Sequence, residues 1–354
     1  MIGREGRRRP SDLVFTSRRG PLISVLNGEK RLHLGEEKMI TSMFRASAPA
    51  DTSHRRLGPL TDLPGNWMGR GFNLVALPRD PDRTKDPLPF RLKVATTMEA
   101  LSFTLIGAPV PNRSSAGDIE FLGLNYFQQV ANAETGEGMH VEPGFWLHMP
   151  DLPDATIVRL GTIPHGDALL AQGNAMDAIP GPPPIQAVDP HPFTIDPSTG
   201  NRVNETDPKY IDIFTNAASN PPPGVPGGFI TDPNSVLKDA LTLLTNANKK
   251  ITSTDVLFVS ASPVGGINGT PIIPPSPPPP KSPLVDPKEI GGIINIPFIR
   301  SNADATSFSA IFWIETVQNP DGLPSLQLQY TQTVILDFDD LKWPHVSVAT
   351  LIKQ

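Results

Sequence analysis

Two alternating runs near the end of the chain constrain its fold most strongly. Residues 307–317 and 326–336 each alternate apolar and polar side chains, which is the period of a β-strand with one buried face. Asn319-Pro-Asp-Gly322 lies between them and is typical of a tight turn. A third alternating run, residues 343–352, follows a short polar connection. The three runs predict an antiparallel meander.

The first predicted strand carries an aromatic residue and two glycines on one face. In Gly65-Asn-Trp-Met-Gly-Arg-Gly-Phe-Asn73, Trp67, Gly69 and Gly71 occupy alternate positions. Successive side chains of a strand point to opposite faces, so these three residues share a face. Glycines there let a neighbouring chain approach closely or let the strand bend. The pattern favours the opening strand of a barrel.

Other segments extend the β prediction. In residues 90–106 the apolar side chains alternate on one face of the predicted strand before position 98 and on the other face after it. This change predicts a bulge or a bend. Residues 119–130 and 139–149 flank a turn that contains glycine, and they predict a hairpin. Shorter strands are predicted at residues 155–163 and 168–172. The expected fold class is therefore mainly β.

Proline interrupts this pattern in the middle of the chain. The 354 residues include 42 Pro and 29 Gly, and Pro-rich tracts concentrate between about residues 174 and 304. Because such tracts are extended and largely unpaired, we predict an insertion within one domain. Asp232-Pro233, followed by an apolar stripe, predicts a short helix inside it. Residues 1–56 are expected to form a flexible arm, which leaves residues 57–354 as the β-barrel domain.

Composition excludes several classes of protein. The absence of cysteine rules out a disulfide scaffold, a thiolate metal site and a cysteine nucleophile. A net charge of −6 and a pI near 5.7 argue against a nucleic-acid-binding surface. No apolar run approaches the roughly 18 residues of a membrane-spanning helix, and no signal-peptide pattern is present at the N-terminus. We therefore expect a soluble, cytoplasmic protein without membrane contact.

Three features of the chain occur together: Gly65, Trp67, Gly69 and Gly71 in the first strand, the hairpin ending in Gly138-Met-His-Val-Glu-Pro-Gly144, and His345 in the last strand. Together they resemble the nitrobindin family and its fatty-acid-binding-protein-like relatives. The opening motif of that family is Gly-x-Trp-x-Gly-x-Gly-x-Gly, and Asn73 stands here in place of its fourth glycine, with no Tyr-Pro pair after it. The resemblance covers residues 60–172 and 307–353 and implies an antiparallel, calycin-like β-barrel.

The resemblance also implies a function and a set of site residues. The last strand of the family supplies an axial histidine to haem b, so His345 is the expected metal ligand. An open sixth position on the iron would allow chemistry with nitric oxide, peroxynitrite or peroxide. Trp67, Tyr330 and Trp343 are the expected walls of the site. His165, on a tight connection, is expected to be a distal group over the haem, a general base or a turn residue.

The parity of the last strand agrees with this interpretation. His345 shares a face with small residues, whereas Val346 and Val348 belong to the opposite face. An outward-facing β-branched stripe requires cover, which we expect from the insertion or from a second subunit in a homodimer.

Two other classes of function remain open at this point. One is a non-catalytic carrier of a lipid-like or other small apolar ligand, or an interaction scaffold that uses the Pro-rich insertion for docking. The other is a non-haem metalloenzyme, because three imidazoles suit zinc or iron. His140, His148 and His165 are the candidate ligands of that metal.

Overall fold

Ten antiparallel strands close into one β-barrel, as the sequence predicts. The computed structural model describes residues 56–79, 88–115, 117–152, 155–261 and 291–354. The first and last strands pair with each other and close the barrel, with Trp67 opposite Lys353 and Leu74 opposite Val346. The barrel strands, in the order in which they neighbour one another, are β1 (Gly65–Pro78), β2 (Phe90–Leu105), β4 (Ile119–Asn132), β5 (Gly138–His148), β6 (Ile157–Ile163), β7 (Asp167–Pro180), β10 (Lys250–Ala261), β12 (Asp304–Gln318), β13 (Pro324–Phe338) and β14 (Leu341–Lys353).

Short elements decorate this barrel. Four helices are described, and among them none is long and apolar enough to cross a bilayer. The short strands are β3 (Val110–Asn112), which pairs with β4, β8 (Phe193–Ile195) and β9 (Arg202–Asn204), which extend from β14, and β11 (Gly292–Asn295), which pairs with β7. The helices are α1 (Pro208–Ser219), α2 (Gly227–Thr231), α3 (Ser235–Asn246) and α4 (Pro297–Asn302), with a 3₁₀ turn at Gly58–Leu60 before the first strand.

The glycines of the first strand are required by the closure of the barrel. A Cβ atom at Gly71 would collide with the carbonyl oxygen of Val348, and one at Gly69 with the carbonyl oxygen of Thr350. Both oxygens belong to β14, so the two strands approach too closely for any side chain at these positions. The predicted close approach of a neighbouring chain is thus found, and the neighbour is the closing strand.

A second apolar core lies on the outer face of the barrel. Val346 and Val348 of β14 and Leu74 of β1 face outward and are buried there. Side chains from residues 181–249 cover them, among them Phe214 of α1, Phe229 of α2 and Leu237 of α3. The covering segment, as we call residues 181–249, therefore supplies the cover that the β-branched stripe requires.

This outer core also explains the parity change in β2. The strand runs from Phe90 to Leu105 as one continuous strand with unbroken register against β1, so the parity change near position 98 is not a β-bulge. Phe90 belongs to the outer core, whereas Leu101 and Phe103 belong to the inner one. The apolar face changes because one half of the strand is covered from outside and the other half packs inside.

The barrel uses part of the range that the sequence predicts as an insertion. Strand β7 continues to Pro180, and β10 pairs with both β7 and β12 as a full member of the wall. The insertion is therefore divided by a barrel strand. The predicted helix after Asp232-Pro233 is present as α3. The predicted flexible arm falls on residues that, except for Arg56, lie outside the described ranges.

Candidate functional site

The interior of the barrel is divided into an aromatic half and a polar half. In the aromatic half, Trp67, Trp146 and Phe312 are buried and pack on one another and on neighbouring aliphatic side chains. The edge of the Trp146 ring meets Phe312, with 5.0 Å between ring centroids. This half is filled by the protein's own side chains. Toward the other end of the barrel, the side chains on the inward faces of the strands are polar.

A buried ion pair lies in the middle of the interior. Arg159 of β6 donates from Nη2 to Glu142 Oε1 of β5 at 2.9 Å, and the two side chains are 1% and 0% exposed. Tyr126 also donates to that carboxylate, and Gln332 accepts from Arg159 Nη1 at 2.8 Å. Burial alone would raise the pKa of Glu142, but Arg159, with His140 and Tyr126, lowers it to about 2.

Aromatic rings surround the guanidinium group of Arg159. Its Cζ atom lies 5.3 Å from the ring centroids of Tyr126 and Phe308. Gly161, two residues further along β6, leaves the space that the ion pair needs, because a Cβ there would collide with Glu142 Oε1. The sequence thus places a small residue where the polar network requires room.

A second buried carboxyl group lies nearby in β2. Glu99 accepts from Tyr330 Oη at 2.6 Å and from Gln128 Nε2 at 2.8 Å. Burial raises the pKa of Glu99 to about 7, against the opposing effect of these hydrogen bonds. Two interior carboxyl groups therefore differ widely in acidity. Glu142 is ionised at neutral pH, whereas Glu99 is poised to exchange a proton there.

His345 lies on the inner face of β14 at the polar end of the barrel. Its Nε2 atom is 2.8 Å from Asn73 Nδ2, and the same amide donates to Ser347 Oγ at 2.9 Å. Burial, together with the nearby His140 and His165, lowers the pKa of His345 to about 4. The imidazole is therefore neutral at pH 7, which is the form that binds metals.

His140 and His165 lie at the same end. Their ring centroids are 5.7 Å apart, and His140 Nε2 lies 3.1 Å from Glu142 Oε2. Burial and the nearby His140 lower the pKa of His165, against the effect of Asp167. His165 is exposed on the turn between β6 and β7, whereas His140 and His345 are partly buried. The polar half of the barrel therefore opens at a mouth lined by histidines.

Ile296 lies beside this mouth, and its side chain is 48% exposed. The backbone N–H of Ile296 donates to the carbonyl of Gly166 at 2.9 Å, which fixes the residue next to the turn that carries His165. A ligand at the mouth would therefore meet imidazoles and the apolar side chain of Ile296.

The structure distributes the predicted site residues over several places. His345 and His165 lie at the mouth, and Tyr330 lies in the interior, four residues along β13 from the partner of His345. Trp67 is six residues along β1 from Asn73, which puts it about 20 Å away in the aromatic half. Trp343 belongs to the outer core and stacks on Phe338 at 4.8 Å. Only His345 and His165 are brought to one place.

The three-histidine metal site that the sequence left open as an alternative does not assemble in the described part of the chain. His148 lies eight residues along β5 from His140, about 26 Å away, beside the carbonyl of Arg56. Among the described residues, no group of three or more histidine or carboxylate side chains is arranged to hold a metal ion. His345, unlike His148, lies near enough to His140 and His165 for their charges to affect its pKa.

Sequence reasoning missed the polar residues of the interior. Glu99, Glu142 and Arg159 look like ordinary surface residues of alternating strands until the barrel is closed. Their only local signal is parity, because each shares a face with apolar residues of its own strand. Asn73 had a clearer signal, since it follows Trp67, Gly69 and Gly71 on the inward face.

Comparison with known proteins adds one similar structure. No family model matches the chain, and no curated protein matches it. Among solved structures, the crystal structure of Rv2717c from M. tuberculosis is similar, with a TM-score of 0.36 and 15% sequence identity. That match covers 87% of this chain and 99% of the other chain. The function therefore has to be argued from the residues of the site itself.

Proposed function

We propose that the mouth of the barrel binds haem b, with His345 as the axial ligand, and that the chain is a distant relative of the nitrobindins. The single observation that carries the proposal is the imidazole of His345, which faces inward at the open, polar end and is neutral at pH 7. A histidine imidazole is a common axial ligand of haem iron.

The surroundings of His345 suit a flat ligand with apolar faces. Ser347, next along the inner face of β14, is small. Ile296, beside His165, offers a partly exposed apolar side chain for the edge of a macrocycle. The neutral imidazole, its small neighbour and this apolar side chain are compatible with haem.

The other histidines have distinct roles in this proposal. A bound haem supplies an iron centre that can take nitric oxide, peroxynitrite or a peroxide. His165, whose pKa is lowered and which is therefore neutral at pH 7, provides a hydrogen bond to a molecule held at the mouth. His140 is oriented by Glu142 Oε2, 3.1 Å away, and so connects the mouth to the buried ion pair.

The filled aromatic half favours this function over a carrier of long apolar chains. Trp67 and Trp146 are fully buried and fill the apolar part of the interior that such a chain would occupy. A ligand that binds at the mouth needs no displacement of these rings. A planar molecule at the polar end is therefore the better match to this barrel.

Titration of the purified full chain with hemin tests the proposal. We expect saturable binding with a Soret band typical of histidine ligation, and we expect His345→Ala to abolish that band. His191→Ala is the matched control, because His191 lies in the covering segment beside Asp189 and away from the barrel interior. Equal binding by the native chain and by His345→Ala would overturn the assignment, and so would no saturable binding by the native chain.

A further inference from the structure

The side chain of Asn73 occupies the ring nitrogen that His345 would use as a ligand. Asn73 Nδ2 carries two hydrogen atoms, and two acceptors lie within bonding distance of it. One is Ser347 Oγ at 2.9 Å, and the other is His345 Nε2 at 2.8 Å. The Nε2 lone pair is therefore engaged by a neighbour on the adjacent strand.

Barrel register holds Asn73 in this position. Asn73 is the direct partner of Ser347 in the pairing of β1 with β14, and His345 is two residues further along the same face. Gly69 and Gly71 let the two strands approach closely over the preceding residues. The amide is thus presented to the imidazole by the pairing of the two strands that close the barrel.

We infer that Asn73 is a gate on His345: any group that binds Nε2 must first displace the Asn73 amide, which weakens and slows binding at this imidazole. A chain with glycine at position 73 would leave Nε2 open to the interior. The residue at this position therefore sets how readily the histidine accepts a ligand. The part of this inference that concerns haem rests on the function proposed above, whereas the occupancy of Nε2 does not.

The gate predicts a specific change in ligand affinity. A hydrogen bond between neutral groups contributes on the order of 1 kcal/mol net, which corresponds to about a fivefold to tenfold change in an equilibrium constant. Replacing Asn73 with glycine or alanine removes that competitor without touching His345. Hemin affinity is then expected to rise by about that factor, with faster association.

Two readouts test the gate, and only one of them uses haem. The first is the hemin dissociation constant of the native chain, Asn73→Gly and Asn73→Ala. The second is the rate at which diethyl pyrocarbonate modifies His345 in the haem-free chain, followed by peptide mass spectrometry. Asn66→Gly is the matched control, because it makes the same substitution at the exposed start of the same strand. Thermal unfolding identifies any variant that fails to fold, and Asn73→Ala replaces Asn73→Gly in that case.

The outcomes separate the gate from the haem proposal. Faster modification of His345 together with tighter hemin binding supports both. Faster modification in a chain that binds no hemin supports the gate and overturns the haem function. Modification rates and hemin affinity that match the native chain in both Asn73 variants would overturn the gate.

Discussion

Arg159 Nη2 lies 2.9 Å from Glu142 Oε1 in the centre of the barrel, and almost no solvent reaches either side chain. Breaking a buried pair by removing one partner leaves an uncompensated charge, which costs about 3–5 kcal/mol. We therefore expect Arg159→Met to lower the free energy of unfolding by that amount. Chemical denaturation measures the loss.

The matched control for this prediction is the double variant Arg159→Met/Glu142→Gln. It removes both charges, so it should recover part of the stability that the single variant loses. A single variant that unfolds at the same denaturant concentration as the native chain would contradict the prediction. A double variant that is less stable than the single variant would argue against the pair as the cause.

Gly71→Ala tests the closure of the barrel. The added methyl group would collide with the Val348 carbonyl oxygen and lie 2.9 Å from the Ala349 Cβ atom, so β1 and β14 must separate. We expect a loss of about 2 kcal/mol or more in the free energy of unfolding, as for other overpacked positions. Gly138→Ala is the control, since a Cβ there meets nothing within 4 Å. Equal unfolding midpoints for the two variants would be inconsistent with the tight seam.

Glu315 lies on the outer face of the barrel and should make the stability of the fold depend on pH. It is fully buried, and Gln327 donates to one of its oxygens at 2.6 Å, while the other oxygen has no partner among the described residues. Burial raises the pKa of Glu315 from 4.5 to about 8, against the effect of Gln327. Between these two values the folded chain holds a proton that the unfolded chain has released. The contribution of Glu315 to stability therefore falls as the pH rises from about 4.5 to about 8.

Glu315→Gln replaces the carboxyl group with an amide that does not titrate. The pH dependence of stability that arises at this position should therefore disappear. At pH 5 the variant and the native chain should unfold at similar temperatures, because the group is uncharged in both folded proteins. At pH 9 the variant should be more stable by more than about 1 kcal/mol, given that each unit of pKa shift is worth about 1.4 kcal/mol. Calorimetry across this range checks the difference, and a difference that does not vary with pH would refute the assignment.

His345 should titrate far below an ordinary histidine. The pKa of about 4, against 6.5 for an unshifted imidazole, means that the unfolded chain binds a proton between these values and the folded chain does not. The contribution of His345 to stability is therefore fully present above about pH 6.5 and is lost as the pH falls toward 4. The NMR chemical shift of the His345 Cε1–H group should stay constant from pH 8 to pH 5.5. A midpoint near pH 6.5 would show that the ring is solvated and not enclosed by the barrel.

Local patterns predicted the strands and the residues that share a face with His345, because strand parity is a property of a single segment. Trp67, Gly69 and Gly71 were assigned to one face for the same reason. Trp343 shares the parity of His345 but belongs to the outer core, where it packs on Phe90 and Phe338. Parity alone therefore does not assign every residue of a strand to one core.

The rest of the site depends on distant parts of the chain. Glu99, Glu142 and Arg159 come from three strands, and their burial follows from closure of the whole wall. Strand β10 was missed because it lies between Pro-rich tracts and pairs with strands about 80 and 60 residues away in sequence. The pairing of His140 with His165, and the separation of His148 from both, likewise required the register of β5 against β6.

The most direct test of the central claim is X-ray diffraction at the iron absorption edge from crystals of the full chain grown with hemin. The account predicts one strong anomalous peak at the mouth of the barrel, bonded to Nε2 of His345, with the side chain of Asn73 turned away from that nitrogen. A peak bonded to another histidine, or hemin bound only on the outer surface of the barrel, would contradict it.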